Sequence, residues 1–119
     1  MVKVLLVEDE LLVGLDIQMT LEDAGFEVAG PYPTVAEALD VAKQSLPDVG
    51  FLDVRLADGV VDPLAAFLSE HSVPLVFHSG HAGAHDYGTA FPQASFCEKP
   101  STPEQLVSIV EQQAAAITN

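Results

Sequence analysis

A chain of 119 residues with 49% apolar and 18% charged side chains is expected to be one domain that buries about two-thirds of its unfolded surface, which excludes disorder. Four Lys plus Arg against eighteen Asp plus Glu give a net charge of −14, and without a basic patch neither nucleic acid nor an anionic membrane is an expected partner. No apolar run is as long as a membrane span, Met1-Val2-Lys3 leads into a strand and not a signal peptide, and the single Cys97 allows no internal disulfide, so the cytoplasm is the expected compartment.

Five strand-like stretches alternate with helix-like ones, which predicts an α/β domain with a parallel sheet. Lys3 to Val7 is the first strand. Glu10 to Ala24 follows as a helix whose apolar side is read as Leu11, Leu15 and Met19 with Leu12 and Ile17 beside them, and Gly25 stops it. Glu27 to Ala29 is a short second strand closed by Gly30-Pro31. Thr34 and Glu37 form a capping box for a helix running to about Leu46. Val49 to Leu52 is the third strand and carries Asp53 at its mouth. After a loop from Val54 to Gly59, Asp62 caps a helix with Pro63 in its first position. Pro74 to His78 is the fourth strand.

Alternation places a helix in Gly80 to Gln93, yet Gly80, Gly83, Gly88 and Pro92 oppose it, by about 1 kcal/mol per interior glycine and about 3 kcal/mol for proline. A short, frayed or mobile segment is expected there. Ala94 to Cys97 is the fifth strand, in which Cys97 is read as a small buried hydrophobe. Pro103 opens a last helix reaching about Ala116.

The chemistry collects at the strand ends. The first strand delivers Glu8 and Asp9, the third Asp53, the fourth His78 and Ser79, and the fifth Lys99 and Pro100. Right-handed crossovers and the doubly wound order 2-1-3-4-5 place the first and third strands side by side, with a ligand crevice at their carboxyl ends. Three carboxylates there repel one another, and a hard divalent ion with oxygen ligands relieves the repulsion; Mg²⁺ suits that set. Asp9 and Asp53 would bind it directly and Glu8 through water. Asp53 could then accept a phosphoryl group, with Lys99 and the Ser79 hydroxyl serving its oxygens. Singly, each piece has an ordinary reading: a helix cap with a first-turn acid, a turn aspartate, a loop Lys-Pro. Jointly, on four strand ends, the pattern is specific.

VLLVEDE, the glycine-ended first helix, PDVGFLDVRL, PLVFHSG and SFCEKP stand at the spacing of receiver domains of two-component response regulators, and the chain resembles that family along essentially its whole length. The resemblance implies a flavodoxin-like (βα)5 fold in three αβα layers. It implies Asp53 as phosphoacceptor, Glu8 and Asp9 as the acidic pair, and the Arg55 backbone carbonyl as a third protein ligand of Mg²⁺. Ser79 is then the switch hydroxyl, Lys99 the phosphate-contacting lysine, and the Lys99–Pro100 peptide bond cis. Phe96 stands at the switch-aromatic position; a static core aromatic is the other reading, and both stay open.

Some departures matter. Gly80 stands where many receivers carry Ala, and His78 replaces a small or apolar residue. PLVFHSGHAG partly resembles the stand-alone alphaproteobacterial receivers nicknamed FAT GUY, at Phe77, Ser79, Gly80 and Gly83. The last helix lacks the basic residues of the charge-paired dimers of DNA-binding regulators. His81 and His85, followed by Asp86, are read as exposed polar residues in preference to a metal site.

The implied partners are a histidine kinase or histidine phosphotransfer protein as donor, and a downstream protein target reached by protein–protein contact. A phosphate sink or relay, and a receiver cut from a longer protein, stay open. By the family's pattern the chain is not an enzyme on external substrates and catalyses only its own phosphotransfer and autodephosphorylation. A Mg²⁺-dependent aspartyl-phosphate phosphohydrolase would carry a second Asp where Arg55 stands. A flavin-binding module would need a Ser/Thr/Gly-rich phosphate loop where Glu8-Asp9-Glu10 stands.

Overall fold

A computed structural model of the chain describes residues 1–79, 90–99 and 101–115. Its strands are β1 (Lys3–Val7), β2 (Glu27–Tyr32), β3 (Val49–Asp53), β4 (Arg55–Leu56), β5 (Gly59–Val60), β6 (Leu75–Ser79) and β7 (Ser95–Glu98). Its described helices are α1 (Leu11–Asp23), α2 (Val35–Gln44), α3 (Asp62–Glu70) and α4 (Pro103–Ala115). Five strands form one parallel sheet in the order β2-β1-β3-β6-β7, while β4 and β5 pair antiparallel as a separate hairpin. This is the expected doubly wound order, with two hairpin strands interposed in the count. The helix expected before β7 falls largely outside the described residues, as do Gly80, Gly83, His81, His85, Asp86 and Pro100, and with Pro100 the Lys99–Pro100 bond.

Strand β3 is buried at every position, as a central parallel strand covered on both faces must be. Alternation divides the core. Leu5, Val7, Leu52, Leu75 and Phe77 pack with Ala38 and Ala42 of α2 and Leu64 and Leu68 of α3. Val4, Leu6, Phe51, Val76 and Cys97 pack with Ile17 and Leu21 of α1 and Leu106 and Val110 of α4. Gln113 of α4 is a buried polar exception: its Nε2 donates to the carbonyls of Leu75 at 2.7 Å and Gln93 at 3.2 Å, fastening the helix to the sheet.

The α1 reading needs correction. Of the apolar residues expected along it, Ile17 is buried, but Leu11, Leu15 and Met19 are 65%, 40% and 63% exposed, and Leu12 is 82% exposed. The buried side is Gly14, Ile17 and Leu21. Both sets have helical spacing, so periodicity cannot choose between them. Close approach can: a Cβ on Gly14 would lie 2.7 Å from Pro31 Cβ and 2.8 Å from its Cγ. Gly14→Ala is therefore expected to destabilise the fold by about 1–3 kcal/mol despite alanine's better helix propensity. Urea unfolding would check this; an unchanged midpoint would mean that Pro31 yields freely.

Strand β2 also runs further than expected. It passes through the cis Gly30–Pro31 bond to Tyr32, with an irregular register opposite Leu5 and Val7. An edge strand tolerates this because its outer backbone groups need no ladder partner. Helix α3 starts at Asp62 itself, after an N-cap at Val61 that makes no side-chain cap bond. Asp62 is thus a first-turn acid beside the Pro63 expected there. Helix α2 matches its predicted start: Thr34 Oγ1 accepts from the Glu37 amide at 3.2 Å. Its first two amides, those of Val35 and Ala36, donate instead to the Asp58 carboxylate.

Candidate functional site

The alternation that builds the α1/α4 side of the core continues past the strand ends. Leu6 is followed two positions on by Glu8, Phe51 by Asp53, Val76 by His78 and Cys97 by Lys99. Register completes the alignment: Leu52 lies beside Val7, and Asp53 beside His78. Four chemically active side chains are thus carried to one corner of the sheet's carboxyl edge.

Lys99 joins two of them. Its Nζ lies 3.1 Å from Glu8 Oε1 and 3.3 Å from Asp53 Oδ2. Glu8 and Asp53 are only 2% and 8% exposed, so the interaction is poorly screened. Burial lowers the Lys99 pKa, but the charges and hydrogen bonds of Asp53 and Glu8 outweigh it, and the net shift is upward. Lys99 is a fixed ammonium here.

Glu8 bears the cost of crowding. Burial, then the hydrogen bond and charge of Asp53, push its carboxyl up to about 7, against the Glu10 amide and Lys99, which pull it down. The Glu10 amide donates to Glu8 Oε2 at 3.2 Å. One ammonium is insufficient to keep the buried Glu8 carboxylate fully ionised at neutral pH. Asp9, by contrast, is exposed, so the acidic pair comprises one inward and one outward carboxylate. Ligand oxygens of Glu8, Asp9 and Asp53 can all lie within 4.8 Å of one another. This is an all-oxygen donor set with surplus negative charge, and it fits a hard divalent cation such as Mg²⁺.

His78 is the site residue whose contribution sequence reasoning missed. It is buried, its Nε2 lies 3.0 Å from Ser101 Oγ, and its ring sits 5.2 Å from that of Phe51. Burial and then the Lys99 charge push its pKa down to about 4, with Asp53 acting the other way. A neutral imidazole therefore stands beside Asp53 in the sheet register. Strand parity contained the signal, since His78 shares the side of Val76.

The remaining expected residues are placed as follows. Ser79 ends β6, and its carbonyl accepts from the Lys99 amide at 2.9 Å. Phe96 is 36% exposed, and its ring stacks on Phe77 at 5.5 Å between centroids. Arg55 has an exposed side chain and begins the β4–β5 hairpin just past Asp53. His71 is the C-cap of α3, with its Nδ1 2.9 Å from the Phe67 carbonyl oxygen.

No family model matches the chain. Among solved structures, a response regulator receiver protein from Sinorhizobium medicae superposes with a TM-score of 0.87 at 32% identity, over 97% of this chain and 95% of that one. The non-phosphorylated HemR receiver domain from Leptospira biflexa gives 0.85 at 27% identity, over 97% and 95%. Among curated proteins, the phyllosphere-induced regulator PhyR of Methylorubrum extorquens is 28% identical over 113 residues, which cover 92% of this chain and 42% of that protein. The chain spans less than half the length of the curated relatives it matches.

Proposed function

We propose a role for each residue of the site from the premise that the chain belongs to the receiver domains of response regulators, the phosphorylation-dependent signalling switches of two-component systems. Asp53 is the phosphoacceptor. One observation carries this reading: Asp53 is a buried carboxylate at the sheet's carboxyl edge, 3.3 Å from a fixed ammonium and part of a divalent-ion donor set.

Asp9, Asp53 and the Arg55 carbonyl would hold Mg²⁺, with Glu8 acting through water. The ion, when bound, neutralises charge on the incoming phosphoryl group. The chain's own residues do the rest. A carboxylate oxygen of Asp53 bonds to the phosphorus of a donor phosphohistidine, the P–N bond breaks, and its electron pair returns to the donor imidazole. Lys99 offers preorganised N–H groups to the phosphoryl oxygens. Ser79 hydrogen-bonds the transferred group, and Phe96 turns inward in response. Water later attacks the phosphorus and restores the Asp53 carboxylate. The chain catalyses this transfer and hydrolysis on itself alone.

The donor is a histidine kinase or a histidine phosphotransfer protein, and the output is contact with another protein. Helix α1 begins two positions past Asp9 and shows Leu11, Leu12, Leu15 and Met19 to solvent. That apolar stripe, on a chain of net charge −14, suits a donor with an apolar surface and a basic rim.

Incubation with acetyl phosphate and Mg²⁺ is expected to raise the intact mass by one phosphoryl group, and Asp53→Asn to take none. No adduct in the wild type, or the same adduct in the variant, would sink the assignment.

A further inference from the structure

The segment that leaves Asp53 is held at two levels. At its base, the Val61 amide donates to the Val54 carbonyl at 3.1 Å, and Arg55 pairs with Val60. Val54, Leu56 and Val61 are buried there. The tip has no buried residue. Ala57, Asp58 and Gly59 are exposed, and Gly59 takes the turn at φ +133°. Besides the Leu56–Gly59 pairing, hydrogen bonds to the start of α2 and to the turn before it hold the tip. Asp58 Oδ1 accepts from the Val35 amide at 2.8 Å and Oδ2 from the Ala36 amide at 3.2 Å. The Ala57 amide donates to the Pro33 carbonyl at 3.3 Å.

A carboxylate on two first-turn amides also meets the positive end of the helix dipole. The Val35 amide above all holds the Asp58 carboxyl below its ordinary range; burial opposes it, and the amides of Ala36 and Asp58 itself add smaller downward effects. Asp58 is therefore ionised at neutral pH, and the clamp is charge-assisted.

We infer that Asp58 is a positioning residue for the phosphoryl site: by clamping the hairpin tip to the start of α2, it fixes the Arg55 carbonyl at the hairpin base relative to Asp53. The inference rests on the reading of Asp53 and Arg55 given above. Asp58 touches neither the ion nor the phosphoryl group. It acts as outer support, setting how well the backbone oxygen is aimed. Helix α2 thereby becomes part of the site's scaffold, although it contributes no ligand.

A residue that merely caps α2 would behave differently, and Thr34 supplies the comparison. Thr34 Oγ1 caps the same helix through the Glu37 amide and does not bond the hairpin. Isothermal titration of the full chain with Mg²⁺ is expected to give an affinity about tenfold weaker for Asp58→Ala. Asp58→Asn keeps one acceptor and should fall between that variant and the wild type. Thr34→Ala should lower the thermal midpoint and leave Mg²⁺ affinity unmoved. An Asp58→Ala affinity equal to wild type, or an equal shift in Thr34→Ala, would overturn the inference. Intact mass separates that result from failure of the underlying reading. A wild-type phosphoryl adduct with an unmoved Mg²⁺ affinity removes the role of Asp58 alone, whereas a wild type that binds no Mg²⁺ and takes no phosphoryl group removes both.

Discussion

Lys99→Ala is expected to slow phosphoryl uptake from acetyl phosphate by about two orders of magnitude while tightening the binding of Mg²⁺. On the proposed roles the two effects have opposite signs, because the ammonium would serve two processes. Its Nζ stands 3.1 Å from Glu8 and 3.3 Å from Asp53, so it already neutralises the carboxylates that a dication would use. Removing it leaves those carboxylates short of positive charge and favours the metal. The same removal deprives the phosphoryl oxygens of a donor held in place before they arrive. General damage to the site would weaken both processes together. Uptake measured by intact mass at saturating Mg²⁺, beside calorimetric Mg²⁺ affinity, tells these cases apart. Wild-type uptake, or binding that weakens in step with uptake, would overturn the assignment.

The second large effect is on stability against pH without divalent ions. The His78 pKa falls from an ordinary 6.5 to about 4 on folding. Between those values the unfolded chain holds a proton that the folded chain lacks, so stability present above 6.5 is lost as pH falls toward 4. Glu8 does the reverse. Its pKa rises from 4.5 to about 7, so stability present below 4.5 is lost as pH rises through about 7. In the shared window, pH 4.5 to 6.5, the two contributions oppose each other, and the wild type should show a shallow dependence from this pair.

Glu8→Gln should expose the His78 contribution, with stability rising with pH by up to about 1.4 kcal/mol per unit. His78→Phe, which keeps an aromatic ring against Phe51, should expose the Glu8 contribution, with stability falling by a similar slope. Groups common to all three chains contribute alike, so the slope differences isolate this pair. Urea unfolding followed by circular dichroism in chelator checks it. Slope differences of the same sign in both variants would refute the opposed pair.

The legible parts of this molecule were those set by local rules acting along single strands. Apolar runs ending in Glu8, Asp53, Ser79 and Lys99 could be aligned once a parallel sheet was inferred, because doubly wound topology leaves few arrangements. What escaped depended on choices between comparable local options. Helix α1 carries apolar residues on two sides, and the buried one is decided by Gly14 meeting Pro31, a contact with no trace in hydropathy. Strand β2 continues through a proline because it lies at an edge, a fact of topology and not of propensity. Asp58 falls in the loop expected from Val54 to Gly59, and its bonds to Val35 and Ala36 appear only when loop and helix are brought together. His78 stands before Ser79, where the family carries a small or apolar residue. Its neutral, buried state follows from strand parity and from the nearby Lys99 charge, which must be considered jointly.

Strand β2 has a consequence for how copies of this protein meet. A sheet edge offers a row of amide donors and carbonyl acceptors along which a foreign strand can extend the ladder. On β2 the row is interrupted at Pro31, which has no amide, and the backbone there departs from regular register with β1. A strand laid along Glu27 to Ala29 would lose its template at Gly30, and the acidic surface would repel a second copy of the chain. Sheet-to-sheet polymerisation is thereby discouraged along this edge.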